Sequence, residues 1–218
     1  MLRLVIKDIL IQKKTFIGAL IYLIFVIFAF QGLEGNAYTA AIVAFSYLMV
    51  MGAFGHDDKN KSDIMLNSLP IKRKNIVMAK YISLFAYITI GTLAFIAVNS
   101  LVSVSNINIK TYPVTLESII SAIFAISLLN SISFPLMFKL GFTKSRVFNM
   151  ILFLSIFFAA PYVVKFFSKP ESAFAVKIIN FLKNQSDIAI VSGLLAAFFI
   201  ILLISYLISV KMYKGREF

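Results

Sequence analysis

Six uninterrupted apolar runs constrain this chain more than any other feature: 16–33, 37–55, 81–104, 118–138, 147–164 and 188–210, none containing an Asp, Glu, Lys, Arg or His. At about 1.5 Å rise per residue, a run of this length is enough, as an α-helix, to cross a hydrocarbon core roughly 30 Å thick. The predicted fold class is therefore an all-α membrane protein, one domain over residues 1–218 with six transmembrane helices. The longest stretch between runs, 56–80, is too short for a soluble catalytic domain. Composition points the same way. The chain is 61% hydrophobic and 14% charged, whereas a soluble domain carries about 45–50% apolar and about 25% charged residues.

The charge balance reports orientation. Lys and Arg number 21 against 9 Asp and Glu. Most of the basic residues fall on one side of the six runs: in the N-terminal segment, in 56–80, in 139–146 and after residue 210. The opposite side holds only Lys110, Lys165, Lys169, Lys177 and Lys183. Positive-inside bias predicts that both termini are cytoplasmic and that the protein is a multi-pass component of the cell membrane. The basic excess then reads as a topology signal, with no nucleic-acid partner. In the first segment Leu2, Val5, Ile6 and Ile9 share one helical side and Arg3, Lys7 and Lys14 the other. That pattern predicts an amphipathic helix lying in the interface rather than a cleaved leader. A second short helix is expected outside the membrane within 165–187, opened by Pro170, in which Phe174, Ile178, Phe181 and Leu182 share a face opposite Lys177 and Lys183.

Several chemistries are excluded. There is no Cys, and His56 is the only histidine, so thiol catalysis and multi-histidine metal sites are absent. Residues 141–145 contain a Lys-Ser pair but lack the glycine spacing of a P-loop. The chain is predicted not to be an enzyme and to bind no cofactor or metal. A carboxylate at the bilayer centre costs about 2.5–3.5 kcal/mol and is usually retained for ion or proton handling. The uncharged runs therefore argue against an ion-driven transporter. Glu117 and Asp187 sit where the fourth and sixth runs begin, suited to helix N-termini. Asn130, five residues before Pro135, is read as an interhelical hydrogen bond beside a proline kink, with a role in a transport pathway as the alternative. The Ala37/Ala41 and Gly193/Ala197 pairs permit close helix approach.

Segment 56–80 carries the most information. Asp57, Asp58 and Asp63 come first, then Met65, Leu66 and Leu69, then Pro70, then Lys72, Arg73 and Lys74. Ser62 is the expected N-cap of a two-turn helix that Pro70 ends. Met65, Leu66 and Leu69 would form an apolar edge able to enter a groove on a cytosolic partner. The basic triplet would lie at lipid headgroups, where each cation gains about 1 kcal/mol, or would contact the partner.

The order Asp58-Lys59-Asn60, then Leu66-x-Ser68-Leu69-Pro70-Ile71-Lys72-Arg73-Lys74-x-Ile76-Val77-x-x-Lys80-Tyr81, resembles the signature of small ABC-2 type exporter permeases. It departs at Ser62, where the pattern has a bulky aromatic. The resemblance implies that segment 56–75 contains a coupling helix docking on a separate cytosolic ABC ATPase, which holds ATP and Mg. It implies a second permease subunit, identical or different, and export of hydrophobic or amphipathic cargo such as a peptide, antibiotic or lipid-like molecule. Asp57, Asp58, Asp63, Met65, Leu66 and Leu69 would be the ATPase-coupling residues, with the N-terminal helix a second contact. The alternatives are a substrate-binding membrane subunit of a vitamin-type importer and a membrane scaffold that transports nothing.

Overall fold

A computed structural model describes residues 2–29, 36–104, 114–168 and 187–216. Among them are eight α-helices and no strand: α1 (Leu2–Leu10), α2 (Lys13–Ala29), α3 (Asn36–Lys59), α4 (Ser62–Ser68), α5 (Arg73–Val104), α6 (Leu116–Leu140), α7 (Phe142–Ser168) and α8 (Asp187–Lys214). The all-α class follows from the runs themselves, because a segment in hydrocarbon must satisfy its backbone polar groups internally. Among the described residues, four segments are long and apolar enough to cross a membrane: Ala37–Lys59, Arg73–Ser103, Leu116–Leu140 and Leu195–Lys214. The pair α1 and α2, bent by 68° at its break, raises the number to five if it forms one broken span. The run 147–164 lies within the continuous helix α7. The outer helix expected within 165–187 falls outside the described residues, except that 165–168 belong to α7 and 187 to α8.

Helix α3 is the hub, packing against α2, α5, α6 and α7. Its buried Ala41, Ile42, Phe45, Met49 and Val50 join Leu23 of α2, Leu84 and Tyr87 of α5 and Ile126 and Phe134 of α6 in one core. Small residues set the closest approaches: a Cβ on Gly91 of α5 would stand 2.7 Å from the Phe45 ring. A chain of rings continues the core toward the end where α1, α4 and the end of α8 gather, called here the basic end. Phe134 meets Phe54 at 5.6 Å and Tyr81 at 4.8 Å, and Phe138 meets Tyr213 at 5.2 Å. Outward faces remain apolar, as on α8, where Phe199, Ile200, Leu203 and Leu207 are exposed. Such a surface is stable against lipid and unstable against water.

Pro135 lies inside α6 and is buried. It cannot donate to the carbonyl of Ser131 one turn earlier, which would leave a bare acceptor in an apolar medium. Ser205 of α8 supplies the donor, its hydroxyl 2.7 Å from the Ser131 carbonyl oxygen, and Tyr81 of α5 sits 2.6 Å from the Ser205 hydroxyl. An interhelical bond beside the proline was expected from Asn130. Instead the Asn130 amide donates to Ile126 of its own helix at 2.8 Å, and its buried Oδ1 has no partner. A four-residue back-bond is always within reach of a helical Asn, whereas the freed carbonyl points toward α8. Ser205→Ala should therefore lower stability by about 1–3 kcal/mol, the cost of an unmet buried acceptor, read as a lower melting temperature in detergent. An equivalent loss is not expected for Ser155→Ala, whose hydroxyl is exposed and bonds within its own helix.

Candidate functional site: the basic end

The segment expected to carry the coupling contact is more helical than its sequence suggests. Helix α3 runs on to Lys59, and α5 starts at Arg73, eight residues before the apolar run it contains. Between them α4 is set by a reversal at Lys61, which takes left-handed backbone angles (φ 49°, ψ 34°) and occupies the N-cap position without a side-chain cap bond. The expected cap, Ser62, is one residue further on, in the first turn and buried. The expected stop is present, with Leu69 extended at the C-cap before Pro70.

The helix has two sides. Inward, Leu66 is buried in the core, and Asn67 donates to the Tyr213 hydroxyl at 3.0 Å. Asp63 accepts from the Arg216 guanidinium at 3.3 Å and from Tyr213 at 3.4 Å. Burial pushes the Asp63 carboxyl above the usual carboxylate range, with the Arg216 charge pulling the other way. Outward, Ile64 is 53% exposed, Met65 58% and Leu69 46%. The apolar edge thus consists of Ile64, Met65 and Leu69, while Leu66 anchors the helix from behind.

The basic triplet divides. Arg73 turns to the end of α8, donating to the Lys214 carbonyl at 2.7 Å, where the last carbonyls of a helix lack internal partners. Lys72 and Lys74 remain exposed. Asp58 is half-buried and accepts from Thr143 of α7 at 2.5 Å.

Asp57 belongs to a set of charges that joins three helices. It accepts from Lys7 of α1 at 2.8 Å and from Lys80 of α5 at 2.5 Å. Lys80 also lies 3.0 Å from the Asp8 carboxylate and 5.0 Å from the centre of the Phe54 ring. Ser83 donates to Asp8 at 3.3 Å, and Gln12 bridges the Asp8 carbonyl and the Tyr87 hydroxyl. Asp8, Asp57 and Lys80 are all buried. Two cations and two carboxylates make the set neutral, which is what allows it to sit away from water. Between this set and α4 lies a cavity of about 10 Å³, lined by Asp57, Asp58, Asp63, Lys80 and Arg216 among others. That is about the space one water needs.

Sequence reasoning missed Asp8 and the role of Lys7 and Lys80. Asp8 is the one acid in the first helix, on the side of Val5 and Gln12, and a carboxylate at that place among basic residues was the available signal. The helix α1 accordingly presents its apolar residues in two directions. Val5 is buried, while Leu2, Ile6 and Leu10, at 75%, 52% and 57% exposure, form a stripe facing away from the protein. Asn130 and Pro135 are buried in α6 and line neither cavity of this end.

No group of three or more His, Cys, Asp or Glu that could hold a metal occurs among the described residues. The basic end offers no reacting constellation. It offers an exposed short helix whose inner side is clamped to α8 and whose flanking helices are tied through buried charges to α1.

No curated protein and no solved structure matches the chain. A family model described as ABC-2 family transporter protein matches residues 3–214. With nearly its whole length matched and a bundle of apolar helices of membrane-spanning length, the chain belongs to the ABC-2 family of transporter membrane proteins.

Proposed function

We propose that this chain is the permease subunit of an ATP-driven exporter and that α4 is the helix through which a separate ABC ATPase moves it. The basic end faces the cytoplasm, in line with the side preferred by Lys and Arg. The observation that carries the reading is the two-sided construction of α4. Ile64, Met65 and Leu69 are exposed, at a surface where exposed apolar side chains on a short helix suit insertion into a groove. The inner side is fastened through Leu66, Asn67 and Asp63 to the core and to α8. A push on the outer edge is therefore transmitted to the spans rather than absorbed by a loose loop.

The residues proposed for direct contact are Met65 and Leu69, joined by Ile64. Asp57, Asp58, Asp63 and Leu66 act behind them: Asp58 holds α7, Asp57 holds α1 and α5, and Asp63 and Leu66 seat α4 itself. ATP and Mg are bound by the partner. A second permease subunit completes the pathway, and the cargo is hydrophobic or amphipathic, consistent with the uncharged interior of the runs. Closure of the ATPase around ATP would displace α4 and, with it, the ends of α3 and α5 as rigid bodies.

The test is a Met65→Asp, Leu69→Asp double variant. Both residues are exposed, so the fold is expected to persist, with a melting temperature near that of the parent. Co-purification of the ATPase encoded with the permease should fall at least tenfold, and cargo export should be lost with it, because each substitution places an unpaired charge in the desolvated contact. Undiminished co-purification and export would reject α4 as the docking helix. Leu66→Asp is a poorer test, since Leu66 is buried and its replacement disturbs the fold itself.

A further inference from the structure

On the same end, and independent of α4 docking, a groove of about 500 Å³ runs between α1 and the start of α5. Arg3 and Leu4 form one wall, and Pro70, Ile71, Lys72 and Lys74 the other. Arg3, Lys72 and Lys74 are exposed, and their side chains have no ion-pair or hydrogen-bond partner among the described residues. This sets them apart from Lys7, Lys80, Arg73 and Arg216, each of which is committed to a carboxylate or to backbone carbonyls. The four described acids of this end, Asp8, Asp57, Asp58 and Asp63, are likewise all engaged within the chain. Three cations therefore converge on one concavity with no anion among the described residues placed to neutralise them. Such an arrangement is tolerable only if an external anion enters or if water screens the charges fully.

The chemistry beside the groove narrows the anion. Leu2, Ile6 and Leu10 are spaced one turn apart on α1 and strongly exposed. They continue from the wall that carries Arg3 and Leu4. In a membrane protein that stripe rests against acyl chains, which puts the adjoining groove at headgroup depth, where a ligand joining a phosphate to hydrocarbon meets both. We infer that this groove binds the phosphate of an anionic phospholipid, with Arg3, Lys72 and Lys74 on the headgroup and the Leu2–Ile6–Leu10 stripe against its acyl chains. The inference needs only that the chain is a membrane protein; it does not rest on the ATPase contact. It gives α1 a second anchor, complementary to the buried Asp8–Lys80 bond, so the lipid and the protein grip the helix from opposite sides.

The experiment uses the purified full chain in detergent, titrated with dioleoyl phosphatidylglycerol or dioleoyl phosphatidylcholine and read by native mass spectrometry. Phosphatidylglycerol adducts should persist under conditions that strip phosphatidylcholine. A Lys72→Gln, Lys74→Gln double variant, and separately Arg3→Gln from the opposite wall, should weaken the adduct, the double variant roughly thirtyfold, since each cation near an anionic headgroup contributes about 1 kcal/mol. A Lys139→Gln, Lys144→Gln control, which removes two exposed cations of the same end outside the groove, should bind as the parent does. Equal retention of the two lipids overturns the proposal, as does equal loss in the control, which would show a diffuse charge effect. Displacement of the lipid by millimolar inorganic phosphate would assign the groove to free phosphate and also overturn it. So would a double variant that keeps phosphatidylglycerol but no longer co-purifies the ATPase, which would make the groove a protein contact. Because no arm measuring lipid requires transport or ATPase, failure here leaves the permease reading standing, and failure of the α4 test leaves this one standing.

Discussion

Lys80→Met is expected to destabilise the chain by about 3–5 kcal/mol, the cost of removing one partner from a buried ion pair. The lysine nitrogen is placed between Asp8 and Asp57, at 3.0 Å and 2.5 Å, with a side-chain exposure of 8%. Methionine fills nearly the same volume, so the loss comes from charge rather than from a cavity. Two carboxylates would remain in a dry site with Lys7 as their nearby cation, and α1 would lose its hold on α5. The measurement is thermal melting in mild detergent together with the yield of monodisperse protein, both of which should fall sharply. Combining Lys80→Met with Lys7→Met, Asp8→Asn and Asp57→Asn should recover most of the loss, because a buried ion set replaced as a whole by neutral groups of similar shape is close to neutral in energy. Melting of the single variant at the parental temperature would show that the site is hydrated and that the charges are not what holds α1.

The second large effect is expected at Phe134. Its ring lies between Phe54 of α3, Tyr81 of α5 and Phe138 of its own helix, at centroid distances of 5.6, 4.8 and 6.4 Å. It is 1% exposed. In a bilayer the transfer part of a large-to-small substitution shrinks, because lipid is as apolar as the core, so the cavity and the lost ring contacts dominate. Phe134→Ala should cost about 3 kcal/mol on that basis. It should also loosen the junction of α3, α5 and α6 just inside the basic end. Phe134→Leu, which keeps most of the volume but none of the ring edges, should lose roughly half as much, in keeping with the contribution of aromatic pairs beyond area. Melting in the same detergent separates the two variants. Equal and small shifts would mean that neighbouring side chains collapse into the space.

Both effects bear on transport through the same geometry. The ring cluster, through Phe54 and Phe138, and the charge set, through Asp57 and Lys80, both line the small cavity beside α4. Under the proposed coupling through α4, they would decide whether its movement reaches the spans as a unit. If the proposed permease reading holds, a variant weakened at either place but still folded would show ATP hydrolysis by the ATPase partner with less cargo moved per turnover.

Helical class and the stop at Pro70 were legible in the residues alone, because each depends on local physics: a run with no charge in lipid must close its own backbone bonds, and proline cannot continue a helix. So was the short helix between α3 and α5, since its acid-first, apolar-second order is a property of consecutive residues. The family signature over 58–81 was legible for the same reason. The inward turn of Leu66 and the outward turn of Met65 were not, as neighbouring positions on a two-turn helix differ only by where the rest of the protein stands.

Tertiary structure alone decided the partners of the charges. Asp57 reads in the sequence as one more exposed acid in a polar segment, and Lys80 as one more basic residue at the edge of a span. Asp8 sits 49 residues from the first and 72 from the second in the sequence. Only the packing of α1 against α5 brings the three together, and only their mutual neutralisation lets them be buried. The same holds for Pro135, whose vacant carbonyl partner is predictable from its chemistry, while the identity of the donor, Ser205 on α8, depends on which helix lies alongside. Local rules set what each segment of this chain is; long-range pairing of polar groups in an apolar medium set how the segments grip one another.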